Sequence, residues 1–269
     1  MQLVVLIGFL YERDRLDSTY TDLYIIHKLC SGTNSRIVTI SDTRGIPDVV
    51  VSNIVTSKID TGITTYHPDT SEWYTVRTLN DLVGVVEQLN LELVDRLVIY
   101  YSGHCETGGL LRMPDDTLCK MIDFRDMILN RAKPDAQVMF IIDCCNADHL
   151  QLPYNYQCDR FVLQKDYISC SQNVLALVSC EEGQVAVSSH ASFFTRHLVQ
   201  VLDRDIIYIP KIIQDVTSSM RYSGYREVSD IKVQSSYYNG DVVWTWPYRK
   251  HSIVVDDLNG CFTINKYTD

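Results

Sequence analysis

Unbroken apolar runs, each about the length of a strand, alternate along this chain with segments whose apolar residues recur at helical spacing. Leu3 to Phe9, Arg36 to Ser41, Leu97 to Tyr101, Val138 to Ile142 and Asn173 to Ser179 are the strand-length runs. Rich in Val, Ile, Leu and aromatics, they read as strands covered on both faces, the pattern of a parallel sheet. Asp17-Ser18-Thr19 offers an N-cap to a helix with the face Tyr20, Leu23, Tyr24, Ile26, His27 and Cys30, closed by Gly32. Leu79 to Leu93 predicts a second helix, and Met121 to Arg131 a third that Lys133-Pro134-Asp135 stops. Phe193 to Leu202 and Lys211 to Met220 predict two more, with a short extended piece at Ile206 to Pro210 between them. Near the end, Asp241 to Trp246, Ser252 to Val255 and Cys261 to Ile264 are strand-like, and Asn259-Gly260 is a hairpin turn. Residues 43–76 are hard to assign: Val49 to Val55 alternates like an edge strand or short helix, and Thr64 to Tyr74 looks like loop; residues 148–172 form a polar, Tyr-rich connection long enough for a functional or flexible loop.

Two of the apolar runs end in reactive side chains. Leu97 to Tyr101 stops at Ser102-Gly103-His104, and Val138 to Ile142 stops at Asp143-Cys144-Cys145. With the helix between them they make one βαβ unit, whose right-handed crossover sets the two strands side by side or nearly so. Ligands of such sheets bind outside the carboxyl ends of the strands, so His104 and Cys145 should meet at one edge. A thiol with an imidazole in reach is the minimum for cysteine nucleophilic catalysis. Side chains alternate across a strand, so Cys144 and Cys145 face opposite ways and either is a candidate.

Composition narrows the classes. The chain has 269 residues, 46% of them apolar and 22% charged, ordinary for a globular protein and enough for an ample core. No internal repeat or linker divides it, so residues 1–269 read as a single domain, with 43–76 and 247–269 as the least assignable parts. A formal charge of -10 argues against nucleic-acid binding and suits a cationic substrate. Nine cysteines without disulfide-scaffold spacing point to free thiols and a cytoplasmic location. Their spacing fits no zinc motif, and no metal or other cofactor is expected. Met1 to Leu10 is too short to span a bilayer and lacks a basic leader, so it reads as the first strand, with no membrane association.

Tyr-Ser-Gly-His closing one strand and Asp-x-Cys closing the next resemble the caspase-like cysteine proteases, and the Asp two residues before the Cys resembles the paracaspase and metacaspase branches. Caspases proper carry Gln-Ala-Cys-x-Gly there, where this chain has Asp143-Cys144-Cys145-Asn146-Ala147. Val4 to Gly8, Thr21 to Tyr24, Leu175 to Glu182, Ser192 to Leu198 and Gln234 to Asp241 are also similar to family segments. The resemblance implies an α/β, caspase-like (caspase-hemoglobinase) fold: a three-layer sandwich with a mostly parallel central sheet flanked by helices. It implies Cys145 as nucleophile and His104 as general base and acid, leaving Cys144 in the packing. Backbone N–H groups of Gly103, Cys105 and Cys145 would hold the oxyanion; the family usually has Gly where Cys105 stands. Asp143, Asp22 and Ser102 would line a P1 pocket for Arg or Lys, with Glu181 or Glu182 as a further wall. Asp115-Asp116 resembles a paracaspase loop, and the acidic calcium insertion of metacaspases has no counterpart between His104 and Cys145.

The expected function is therefore a cysteine endopeptidase acting on protein or peptide substrates with a basic P1 residue. Pairing into a homodimer through an edge strand is left open. An inactive caspase-like regulator that binds proteins is the alternative, favoured by Cys105 and Asn146. A redox-responsive protein using Cys144-Cys145 is a third reading, weakened because adjacent cysteines make a poor disulfide.

Overall fold

The computed structural model describes residues 1–30, 35–43, 72–157, 160–186, 188, 191–202, 209–222, 231–236, 251–256 and 261–266. The five long apolar runs become strands β1 (Gln2–Gly8), β2 (Arg36–Ser41), β4 (Arg96–Ser102), β8 (Gln137–Asp143) and β11 (Asn173–Val178), with β3 (Glu72–Thr75) at one edge. These six run parallel in the order β3-β2-β1-β4-β8-β11. Three antiparallel strands, β12 (Lys232–Ser235), β9 (Tyr154–Gln157) and β10 (Arg160–Leu163), extend the sheet to nine.

Both faces are apolar because both are covered. One side chain in two from the central strands, such as Leu3, Val5, Ile99, Phe140 and Ile142, packs against α2 (Leu79–Gln88) and α3 (Met121–Leu129). The alternate set, including Val4, Leu6, Val98, Met139 and Leu177, packs against α1 (Ser18–Cys30), α4 (Phe193–Leu202) and α5 (Ile209–Tyr222). The result is the expected three-layer α/β sandwich with a mostly parallel sheet. Strands β4 and β8 are direct neighbours, with Ser102 opposite Asp143 in register.

Several elements differ from the expectation for local reasons. The helix from Leu79 stops at Gln88, because Asn90 takes the left-handed conformation (φ 54°, ψ 50°) that Asn tolerates; a 3-10 turn, Leu91–Leu93, follows. Its start is well specified: Thr78 and Asp81 form a capping box. Between β4 and α3 lies a small sheet of β5 (Cys105–Glu106), β6 (Leu110–Arg112) and β7 (Leu118–Lys120), too short to leave a period in the sequence. The connection 148–172 contains the β9–β10 hairpin. Helix α5 begins at Ile209, two residues before the expected start, with Pro210 in its first turn, where a missing N–H costs nothing; the rest of the expected extended piece, 206–208, lies outside the described residues. The C-terminal hairpin forms as β13 (His251–Asp256) with β14 (Cys261–Lys266); the expected strand at Asp241 to Trp246 and the alternating segment Val49 to Val55 lie outside the described residues. No helix among the described residues is long and apolar enough to cross a membrane.

Candidate active site

Two residues past the Ser102–Asp143 pair, His104 and Cys145 both line one cavity of about 210 Å³ at the carboxyl edge of the sheet. Leu16, Ser18, Val185, Ala186, Ser188 and Ser192 close it, and Asp22, Ser102 and Asp143 form its floor. Larger cavities of about 490, 470 and 400 Å³ lie behind Tyr11, beside the β9–β10 hairpin and against α3; the third is lined by the Cys170 thiol, and none of the three by an imidazole. Cys144 is 2% exposed and Cys145 half-buried, as the alternation across the strand requires.

The imidazole is held from three directions. Its Nε2 bonds the Asp14 carbonyl at 2.7 Å, and because a carbonyl only accepts, Nε2 is the donor, which leaves Nδ1 as the ring nitrogen not engaged by that bond. The Tyr11 ring tilts against it with centroids 4.6 Å apart. The His104 N–H donates to the Tyr11 hydroxyl (2.9 Å), which donates on to the Arg112 carbonyl (3.0 Å), while the Tyr101 hydroxyl donates to the His104 carbonyl (3.1 Å). Tyr11 itself is clamped by Asp42, whose two carboxylate oxygens accept from the Leu10 and Tyr11 N–H groups at 2.9 and 2.8 Å. Tyr11, Tyr101 and Asp42 are site-building residues that the sequence reading missed; each looks like core or loop until the sheet brings the ends of β1, β2 and β4 together.

That packing explains Gly103. A Cβ there would sit 2.7 Å from both the Tyr11 and the Tyr101 hydroxyls, a close approach that only glycine allows. Gly103→Ala is therefore expected to destabilise the fold by about 1–3 kcal/mol through overpacking, measurable as a lower midpoint in urea unfolding.

The Cys145 thiol is pushed above its ordinary pKa, chiefly by burial, with a backbone contact from Ala186 opposing. It makes no hydrogen bond to His104. Burial thus favours the protonated thiol in the resting site. Among the expected oxyanion donors, the Gly103 N–H is engaged by the Asp143 carbonyl at 3.4 Å. The Cys105 N–H is different: Arg112 N–H donates to the His104 carbonyl (3.1 Å), so by alternation the Cys105–Leu111 pair carries no ladder bond. The Cys145 N–H, the third expected donor, interacts with its own thiol.

Asp22 is wholly buried. It accepts from the Ser192 N–H (2.8 Å) and the Ser102 hydroxyl (3.2 Å), and its pKa stands well above normal through burial and then repulsion from Asp143. Asp143, 3% exposed, accepts from the Thr195 hydroxyl (2.6 Å), which also bonds the Tyr100 hydroxyl (2.7 Å); burial raises its pKa against those bonds. Neither carboxylate has an ion-pair partner among the described residues. Ser192 and Thr195 lie in the Ser-Phe-Phe-Thr segment already noted in the sequence, without a site role assigned.

Glu181 and Glu182 are not brought to this cavity. Glu181 pairs with Lys232 (3.0 Å), which also reaches Asp148 (3.5 Å), and Glu182 pairs with His149 and accepts from the Gly108 N–H (3.0 Å). They sit on the far side of the turn after β11, so the acidic wall consists of Asp22 and Asp143. No cluster of metal-ligating side chains occurs among the described residues.

Comparison with known proteins bears on the family and the fold. The family model described as "Caspase domain" matches residues 68–238, more than half of the chain. A curated protein named "Paracaspase" from Dictyostelium discoideum is 26% identical over 152 residues, covering 54% of this chain and 33% of that protein. The chain thus spans about a third of the length of that relative. The crystal structure of caspase-1 from Spodoptera frugiperda superimposes with a TM-score of 0.51 at 13% identity over 88% of each chain, a likeness of fold.

Proposed function

From the premise that the chain belongs to the caspase-domain family, we propose that it is a cysteine endopeptidase that cleaves peptide bonds after Arg or Lys through Cys145 and His104. The observation that carries the specificity is the pair of buried carboxylates, Asp22 and Asp143, which line the pocket with no ion-pair partner among the described residues, the Arg196 charge offsetting only part of the repulsion on Asp22. An unpaired buried carboxylate is costly, and a guanidinium or ammonium entering the pocket would relieve that cost.

On this reading the steps are as follows. A P1 cation enters over Asp22 and Asp143, which sets the scissile carbonyl against Cys145. His104 Nδ1 takes the thiol proton as the sulfur attacks, and the Cys105 and Cys145 N–H groups receive the oxyanion. The imidazolium, steadied by the Asp14 carbonyl, returns the proton to the leaving amine. Water then hydrolyses the thioester with His104 again as base.

Incubation with a chloromethylketone bearing Arg at P1, followed by peptide mapping, tests this. Modification of Cys145, with little or no reaction from an Asp-P1 reagent, is the expected result. An unmodified Cys145 would favour the second reading, an inactive caspase-like module that binds proteins. That reading draws on the unmade thiol–imidazole bond and the raised thiol pKa. Free thiols throughout the described residues support placement in the cytoplasm, and strand β10, at the sheet edge, is where a homodimer would pair.

A further inference from the structure

Asn146 follows Cys145 directly and stands in the left-handed backbone region (φ 48°). From there its side chain reaches two other segments. Its Nδ2 donates to the Cys105 carbonyl (3.2 Å), and its Oδ1 accepts from the Gly183 N–H (2.9 Å). The orientation of the amide is fixed by these partners, since a carbonyl can only accept and an N–H can only donate. The Asn146 N–H donates to the Gln184 carbonyl (3.2 Å), and the Cys105 thiol donates to the Asn146 carbonyl (3.7 Å).

One residue therefore ties three chain segments that the sheet alone leaves independent: the turn after β4, the turn after β8 and the turn after β11. Each segment presents something to the cavity. The first carries His104 and the Cys105 N–H, the second carries Cys145, and the third continues into Val185 and Ala186 on the cavity wall. Cys105 and Asn146 thus bond each other in both directions, amide to carbonyl and thiol to carbonyl.

We propose that Asn146 is a positioning residue: its amide aims the Cys105 N–H at the oxyanion and holds the 183–186 segment against the substrate. The proposal rests on the endopeptidase reading above. The two ends of the amide should separate kinetically. The bond to Cys105 serves the transition state, where the oxyanion exists, and so acts on kcat. The bond from Gly183 places the wall that bound substrate touches, and so acts on KM.

Asn146→Asp and Asn146→Gly distinguish these roles, because both residues adopt a positive φ with little strain. Asp keeps an acceptor for Gly183 but turns a lone pair on the Cys105 carbonyl; Gly removes both bonds. The full chain is titrated with an irreversible Arg-P1 inhibitor, and kcat per titrated site and KM are read on an Arg-P1 fluorogenic peptide. N146D is expected to lose about 10–100-fold in kcat per titrated site, with KM changed by less than about twofold. N146G should show a loss at least as large and a KM raised several-fold. A merely structural Asn146 would reduce the number of titratable sites and leave kcat per site untouched, and that result in both variants overturns the proposal. A wild-type chain that neither titrates nor turns over overturns the endopeptidase reading and this inference together; a titratable wild type with unchanged variants overturns this inference alone.

Discussion

Cys145→Ala is expected to lower turnover of an Arg-P1 peptide by about 10⁴-fold or more, and His104→Ala to cost nearly as much, because the two act as one unit. The double variant should then be hardly slower than Cys145→Ala. Cys144→Ala supplies the contrast: that thiol is 2% exposed behind the strand, and its loss should leave kcat/KM within about threefold while lowering stability by no more than an ordinary small truncation. Progress curves on one fluorogenic substrate for all four chains measure this. Substantial hydrolysis by Cys145→Ala, or loss of activity only in Cys144→Ala, would remove Cys145 from the mechanism. The resting thiol is held neutral by burial, so kcat/KM in the wild-type chain should rise with pH as thiolate becomes available, with no plateau of preformed ion pair at acid pH.

Asp143→Asn and Asp22→Asn should each raise KM for Arg-P1 and Lys-P1 substrates by about 30-fold or more, since truncating one member of a buried charge pair costs about 2–5 kcal/mol. The same variants are expected to be more stable than the wild type near neutral pH. In the empty pocket both carboxyl groups have raised pKa values, through burial first, and for Asp22 through Asp143 as well. For a carboxyl raised in the folded state, the native protein binds more protons than the unfolded chain between about pH 4 and the raised value. Stability from these two groups is thus fully present below about pH 4 and is lost as pH rises through the folded values. Asn removes that loss and keeps an oxygen for the Ser192 N–H or the Thr195 hydroxyl. Facing Asp22 are Asp143 from β8, Tyr100 from β4 and Arg196 from α4, whose charge partly offsets the repulsion. For the wild type, affinity for a basic P1 side chain should strengthen with rising pH, because the cation binds the ionised acids and displaces a proton. Thermal melts and KM at several pH values read both effects. A pH-independent KM, or variants less stable than wild type at neutral pH, would mean the acids serve only to hold Ser192 and Thr195 in place.

The central strands were legible because residues buried on two faces leave an unbroken apolar run, and no helix in a soluble chain needs one so short. From that, adjacency of His104 and Cys145 follows by the geometry of a right-handed crossover, and their place at the carboxyl edge follows from strand direction. The acidic pair Asp22 and Asp143 was legible only with the family resemblance beside it, since an acidic residue at a helix start or strand end is ordinarily a cap. Glu181 and Glu182 show the limit of sequence adjacency. They follow β11 as closely as Asp143 ends β8, yet the turn directs them to Lys232 and His149.

What linear order determined, then, is which side chains end which strands, and so which edge carries a thiol, an imidazole and the Asp143 carboxyl, whereas Asp22 reaches that edge from within α1. What only the folded chain decided is how those groups are held: Tyr11 and Asp42 behind the imidazole, Asn146 across three turns, Gly103 without room for a Cβ. The reason is physical. Strand periodicity is a local property that repeats every two residues, whereas a hydrogen bond between turns joins atoms far apart in sequence and leaves no period to read.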